Sequence, residues 1–286
     1  MSLIFDDTFR RRLEVLKRIV ARALAGRGGG GRAALKERGG RVEFAGHRAY
    51  TPGDDVAAVD WHAYARLETL VVKEFEAPRE GHLLLVLDRS GSMGSFGKDQ
   101  AALRLAAALG WLGLATGARV AAAARGGATR WCAGVERFRE IMDGLERLPP
   151  GGAADLPSAV ERAPRPGTGP LTAVVLSDFY EAEPAARALA ALRRRSAAVH
   201  GVHVLAPAEM RVPAGAAARL VDAETRETLQ VELTDEIRGA FRAAAEAFAE
   251  ERKTLAVRHG ARWTTLDPAE DLVAAVERVF AGVGKA

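Results

Sequence analysis

The chain has 286 residues, 48% of them apolar, enough to build a real core, which excludes a disordered or fibrous polymer. Its one cysteine, Cys132, excludes an intrachain disulfide framework and a thiolate metal cluster. The net charge of +4 is uneven: residues 1–48 hold twelve Lys or Arg against five acids, leaving the remainder slightly acidic. Such a basic arm suits nucleic acid, an anionic membrane face or an acidic protein, and equally a solvated helix face with a loop. Apolar stretches such as 105–115 (LAAALGWLGLA) fall short of the roughly 18–20 residues that a bilayer span requires. Asp6, Asp7 and Arg10 to Arg12 stand where a secretory core would lie, so the expectation is a cytoplasmic protein without a membrane span.

In chain order, residues 6–25 place Phe9, Leu13, Leu16, Val20 and Leu24 at three-to-four spacing behind Asp7 or Thr8 as cap, which predicts an amphipathic helix. Gly28 to Gly31 stop it. Short strand-like pieces, Arg41 to Phe44 and Leu70 to Phe75, flank the loop YTPGDDVAAVDW (50–61). Pro52-Gly53 suits a type II turn, after which Asp54 and Asp55 bond backbone donors and Asp60 caps a short helix that buries Trp61. The competing reading makes Asp54, Asp55 and Asp60 a partner-binding surface.

From residue 81 the pattern is regular. Apolar strand-length runs at 83–87, 119–124, 171–177, 198–205 and 261–266 alternate with helix-length segments at 98–116, 134–147, 184–196, 235–258 and 268–281. Strand-helix alternation with wholly apolar strands predicts an α/β fold with a doubly wound, mostly parallel sheet covered on both faces. The stretch RLVDAETRETLQV (219–231) alternates around a central Glu-Thr-Arg and predicts a β-hairpin inserted near 206–232. The division expected is 1–80 (basic helix, Gly-rich linker and the loop region) and 81–286 (the α/β domain).

Ligands of an open parallel sheet sit beyond the carboxyl ends of its strands. Asp88 follows the strand LLLVL and Asp178 follows LTAVVLS. Two carboxylates at neighbouring strand ends repel unless something positive lies between them. With Ser90 and Ser92 the set becomes all oxygen, which suits Mg²⁺ or Mn²⁺ better than zinc. The bland alternative has Asp88, Ser90 and Ser92 satisfying backbone donors in a tight turn. GSMGSFGK (91–98) fails as a phosphate loop, since five residues separate Gly91 from Gly97 and Lys98 precedes Asp99; Ser92 lacks the upstream glycine of a nucleophile elbow. His200 and His203, three apart on one strand, point to opposite faces and cannot share a metal.

Asp88-Arg89-Ser90-Gly91-Ser92 after a hydrophobic strand resembles the metal-ion-dependent adhesion site of von Willebrand factor A-type domains. Upstream, VEFAGHRAYTPGDDVAAVDWHAYARLETLVVKEFE (42–76) closely resembles the signature of one bacterial and archaeal branch, domain-of-unknown-function family 58. The order of pieces fits along nearly the whole chain. This resemblance implies a non-enzymatic protein that binds other proteins through a Mg²⁺-type site on the sheet's top edge. It also implies an adaptor or co-chaperone of a MoxR-type AAA+ ATPase and its client, such ATPases being encoded near relatives. Many relatives carry transmembrane helices before the signature, and none is visible here. The family's Gly-Gly-Thr-Asp-Leu segment reads GGAADL (151–156), so Ala153 or Ala154 stands where a ligating threonine is expected, and Asp155 or water is left to fill that position. Three classes follow: a metal-dependent interaction module, a metal-independent scaffold, and an electrostatic binder of nucleic acid or membrane through the basic arm.

Overall fold

The computed structural model describes residues 81–212, 215–221 and 227–283, the backbone of two strands near 43–76, and helical residues Phe9, Arg11–Leu13 and Val15–Leu16. The chain divides into two compact units, residues 30–80 and residues 1–29 with 81–286. In the smaller unit β1 (Glu43–Ala49) pairs antiparallel with β2 (Val71–Glu76), with an irregularity between Phe44 and Gly46. The two strand pieces expected on either side of the loop are therefore partners of each other. The loop 50–61, with Asp54, Asp55 and Asp60, lies outside the described residues.

The N-terminal helix groups with the larger unit and not with residues 30–80, a correction to the expected division at residue 80. The reason is its apolar stripe: Phe9 and Leu16 are buried in the large unit's core, with Leu13 packed against it.

The larger unit is built on β3 (His82–Leu87), β4 (Arg119–Ala124), β5 (Gly127–Ala128), β6 (Leu171–Ser177), β7 (Ala197–Val204) and β10 (Arg262–Leu266). Their order is β10-β7-β6-β3-β4-β5, parallel throughout except for the antiparallel edge strand β5. Between β7 and β10 the chain inserts β8 (Ala217–Val221) and β9 (Thr228–Glu232), the expected hairpin. Six helices accompany these strands among the described residues: α1 (Lys98–Ala115), α2 (Phe138–Arg147), α3 (Leu156–Arg162), α4 (Ala182–Arg194), α5 (Asp235–Arg258) and α6 (Leu272–Val283).

Alternation along a strand sends successive side chains to opposite faces. On β3, Leu83, Leu85 and Leu87 join one core with α1, α2 and α6, while Leu84 and Val86 join a second core with α3 and α4. Every β3 residue is buried, which is why its sequence is apolar without interruption. Helix α1 is apolar almost all round and runs beneath the sheet. Gly113 brings it close, since a Cβ there would lie 2.8 Å from Val120 Cγ2 and 3.0 Å from Leu83 Cδ2.

Among the described residues, no helix is long and apolar enough to cross a membrane. Two elements were not legible in advance. Helix α3 spans only seven residues and carries a proline in its first turn, and β5 spans two. Both are too short to print a period in the sequence.

Candidate functional site

Strands β3 and β6 are neighbours, and Asp88 N still donates to Leu176 O at 2.8 Å where they end. Asp88 and Asp178 therefore leave the sheet at the same edge. Beyond that edge β3 leads through α1 to β4 on one side, whereas β6 leads through α4 to β7 on the other. The two carboxylates thus stand at the point where strand order reverses, the crevice of an open α/β sheet.

Asp88 is 4% exposed. Its Oδ2 accepts from Ser177 Oγ at 2.6 Å and its Oδ1 from Ser90 N at 2.9 Å, while Ser177 Oγ itself accepts from Phe179 N at 2.8 Å. Ser90 and Ser92 bring their hydroxyl oxygens within 3.0 Å of each other. All of Asp88's partners among the described residues are neutral. Burial, and then the nearby Asp178, push its carboxyl pKa above the ordinary value despite the two donors.

The loop is clamped by its intervening arginine. Arg89 pairs with Asp99 through Nε at 2.9 Å and Nη2 at 2.8 Å, and its Nη1 donates to the carbonyls of Leu145 and Leu148 at the end of α2. The Gly151-Gly152 segment docks on the same loop, Gly151 N donating to Arg89 O at 2.6 Å and Gly91 N to Gly152 O at 2.9 Å. As a result Ala153, Asp155 and Arg125 line one small cleft with Asp88 and Ser90. Asp155 caps α3, its Oδ1 accepting from Ser158 N at 3.1 Å. Ala153, and not Ala154, is the alanine that faces this cleft.

Asp178 is held differently. Lys98, with a side chain 2% exposed, donates from Nζ to Asp178 Oδ2 at 3.0 Å and to Glu209 Oε1 at 2.6 Å. Burial pulls the ammonium pKa down, and the two carboxylates outweigh it, so the net shift is upward. Phe96 and Gly97, both with left-handed backbone, turn the chain so that α1 begins at Lys98. Phe179, next to Asp178, is left-handed as well. Strained residues of this kind persist where the surroundings impose them.

A divalent ion is what this oxygen set would hold, and the residues fit one half of such a centre. Asp88, Ser90 and Ser92 present a buried, uncompensated carboxylate beside two converging hydroxyls, which is hard-ion chemistry. On the other half Ala153 offers no ligand, Asp155 Oδ1 is used as a cap, and Asp178 is neutralised by Lys98. Nothing among the described residues groups three or more His, Cys, Asp or Glu side chains as a metal cluster.

Four participants escaped the sequence reading: Ser177, Arg89, Lys98 and Glu209. Ser177 carried a faint signal, since a hydroxyl directly before a strand-end Asp is poised to bond a neighbouring strand end. The Lys98–Glu209 pair spans 111 residues and carries no local signal.

His200 and His203 do lie on opposite faces of β7. His200 Nε2 meets Thr264 Oγ1 at 2.8 Å, while His203 sits among Phe179, Phe248 and Trp263. Phe96 (58% exposed) and Tyr180 (70% exposed) are open aromatic surfaces flanking Lys98 and Asp178 in the chain.

The profile of a family described as "Protein of unknown function DUF58" matches residues 46–252. An uncharacterized protein of Mycobacterium bovis is 32% identical over 212 residues, covering 70% of this chain and 66% of that protein, and one from Mycobacterium tuberculosis matches equally. The match thus spans slightly less than two thirds of those relatives. The uncharacterized protein YeaD of Bacillus subtilis is 49% identical over 45 residues, 16% of this chain and 11% of its own. Among solved structures, an aerotolerance-related membrane protein from Bacteroides fragilis is similar with a TM-score of 0.46 and 14% identity, covering 72% of this chain and 99% of that one.

Proposed function

The chain belongs to the DUF58 family, and from that membership together with the strand-end site we propose that it is a non-enzymatic protein-interaction module whose contact face is the edge carrying Asp88 and Asp178. The observation that carries this reading is the buried Asp88 carboxylate with Ser90 and Ser92 at the switch point, on loops that also carry the exposed residues Phe96 and Tyr180. Exposed aromatic residues are enriched among the side chains that anchor protein contacts. Asp88, Ser90 and Ser92 would hold Mg²⁺ or Mn²⁺ in the manner of a von Willebrand factor A-like adhesion site, with Asp178 and Asp155 more distant. When bound, such an ion supplies an open coordination position that a carboxylate of a partner completes. Because Ala153 replaces a ligand, affinity for the ion is expected to be weak.

The partner proposed is a MoxR-type AAA+ ATPase acting with its client, in the cytoplasm, where this chain serves as adaptor or co-chaperone. The test is retention of the ATPase on immobilised wild-type and Asp88→Ala protein, each in Mg²⁺ and in EDTA. Loss of the partner in the variant and in EDTA supports the reading. Equal retention in all four conditions removes the strand-end edge from recognition.

A further inference from the structure

Lys98 is placed where neither helix stability nor solvation favours it. It is the first residue of α1, whose amino terminus disfavours a positive charge, and it is almost wholly removed from water. What it gains is Asp178 and Glu209, at 3.0 and 2.6 Å. Glu209 belongs to the single turn 207–210 that follows β7, and its other oxygen accepts from Ala206 N at 2.9 Å, so that carboxylate is fixed in position. The ammonium therefore has two anionic partners, only one of which stands at the strand-end site.

We propose that Lys98 is the resident cation of this site and sets its divalent-ion affinity by competing for Asp178, with Glu209 as the partner that keeps the ammonium when Asp178 turns to the ion. This rests on the metal-site reading given above. The physical basis is charge. Among the described residues Asp88 has only neutral hydrogen-bond partners, so the ion enters beside Asp88, Ser90 and Ser92, and its affinity depends on whether Asp178 still offers a net negative charge nearby. While Lys98 neutralises Asp178, the ion meets Asp88 in a cleft where Asp155 and Arg125 offset each other; once the ammonium is drawn to Glu209, Asp178 adds a further negative charge.

The experiment is Mn²⁺ binding, read by the electron paramagnetic resonance of free Mn²⁺ and by the Mn²⁺-induced rise in melting temperature. It is run on wild type, Lys98→Gln and Glu209→Gln. Lys98→Gln should bind Mn²⁺ about tenfold or more tightly than wild type, and Glu209→Gln, which leaves Asp178 as the ammonium's sole partner, about tenfold more weakly. Lys98→Gln should also melt lower without Mn²⁺, because two carboxylates lose their counter-ion, and should gain more on its addition than wild type does. A purely structural ion pair would lower the melting point without tightening Mn²⁺ binding. Equal Mn²⁺ affinity in all three proteins overturns the role of Lys98 and leaves the metal site standing. Absence of binding in all three overturns the metal site and this inference with it. Should Lys98→Gln fail to fold, unchanged affinity in Glu209→Gln is by itself enough to reject the competition.

Discussion

Two buried imidazoles make this fold sensitive to mild acid. His200 is 3% exposed and His203 1%, and each has a ring nitrogen, Nδ1 of His200 and Nε2 of His203, with no hydrogen bond among the described residues. Burial takes both from 6.5 to about 4, helped by Arg262 for His200 and by Lys98 and Arg252 for His203, while Asp178 opposes the shift at His203. A histidine depressed in the folded state is protonated more readily in the unfolded chain. Its contribution is therefore complete above pH 6.5, declines as pH falls, and is gone near pH 4. At ~1.4 kcal/mol per pH decade each imidazole is worth about 3 kcal/mol, so the pair approaches 6 kcal/mol, the size of a whole domain's stability. The raised carboxyl of Asp88 acts in the opposite sense, favouring the folded state as pH falls, and trims the total. Urea midpoints measured at pH 7.5, 6.0 and 5.0 should fall steeply across the lower interval. His200→Gln and His203→Leu should each remove about half of that slope, whatever their effect at pH 7.5. A midpoint that stays level from pH 7.5 to 5.0, or either imidazole titrating near 6.5 in the nuclear magnetic resonance spectrum of the folded protein, would refute the reasoning.

Two further outcomes follow from the clamp and the cleft. Arg89→Met breaks a guanidinium-carboxylate pair and strands two carbonyls; with Asp99 20% exposed the loss should be about 2–4 kcal/mol, or roughly 5–12 °C in Tm, checked by calorimetry. Ala153→Thr puts a hydroxyl into the cleft beside Ser90 and should tighten Mn²⁺ binding by about tenfold in isothermal titration, whereas Ala154→Thr, whose position does not line the cleft, should not.

The sheet could be read from the sequence because its central strands are buried on both faces. LLLVL is unbroken and LTAVVLS is apolar from Ala173 to Leu176, and the Asp that then appears at the end of each, Asp88 or Asp178, marks the edge. The order of strands and the place where it reverses made the pair a site. The contents of the site were less legible. GGAADL resembles a ligand loop, yet its Asp155 is the cap of α3, the cue being an Asp-Leu-Pro start that a seven-residue helix cannot reinforce by periodicity. In the sequence Lys98 suggests only a phosphate loop, whose spacing it does not meet. Its actual partners come from β6 and from the turn after β7, and no local rule links residues brought together only by the fold.

A larger hollow lies elsewhere. It is lined by Gly81, Leu83, Leu109, Gly113 and Thr172 near the starts of β3 and β6, so it opens on the opposite edge of the sheet. Apart from His82, its lining offers no titratable group that could orient a ligand, and size alone does not make a site. The strand-end edge has the reverse character: little space, but four departures from what stability prefers. It holds a buried carboxylate whose hydrogen-bond partners among the described residues are all neutral, a lysine buried at a helix amino terminus, and two phenylalanines with left-handed backbone. Each costs free energy where it stands, and local rules broken together in one place are the pattern of a surface kept for binding. Space and chemistry point to opposite ends of the same two strands, and the chemistry is the better guide, because the strand-end edge gathers several groups whose energy a partner or an ion would improve.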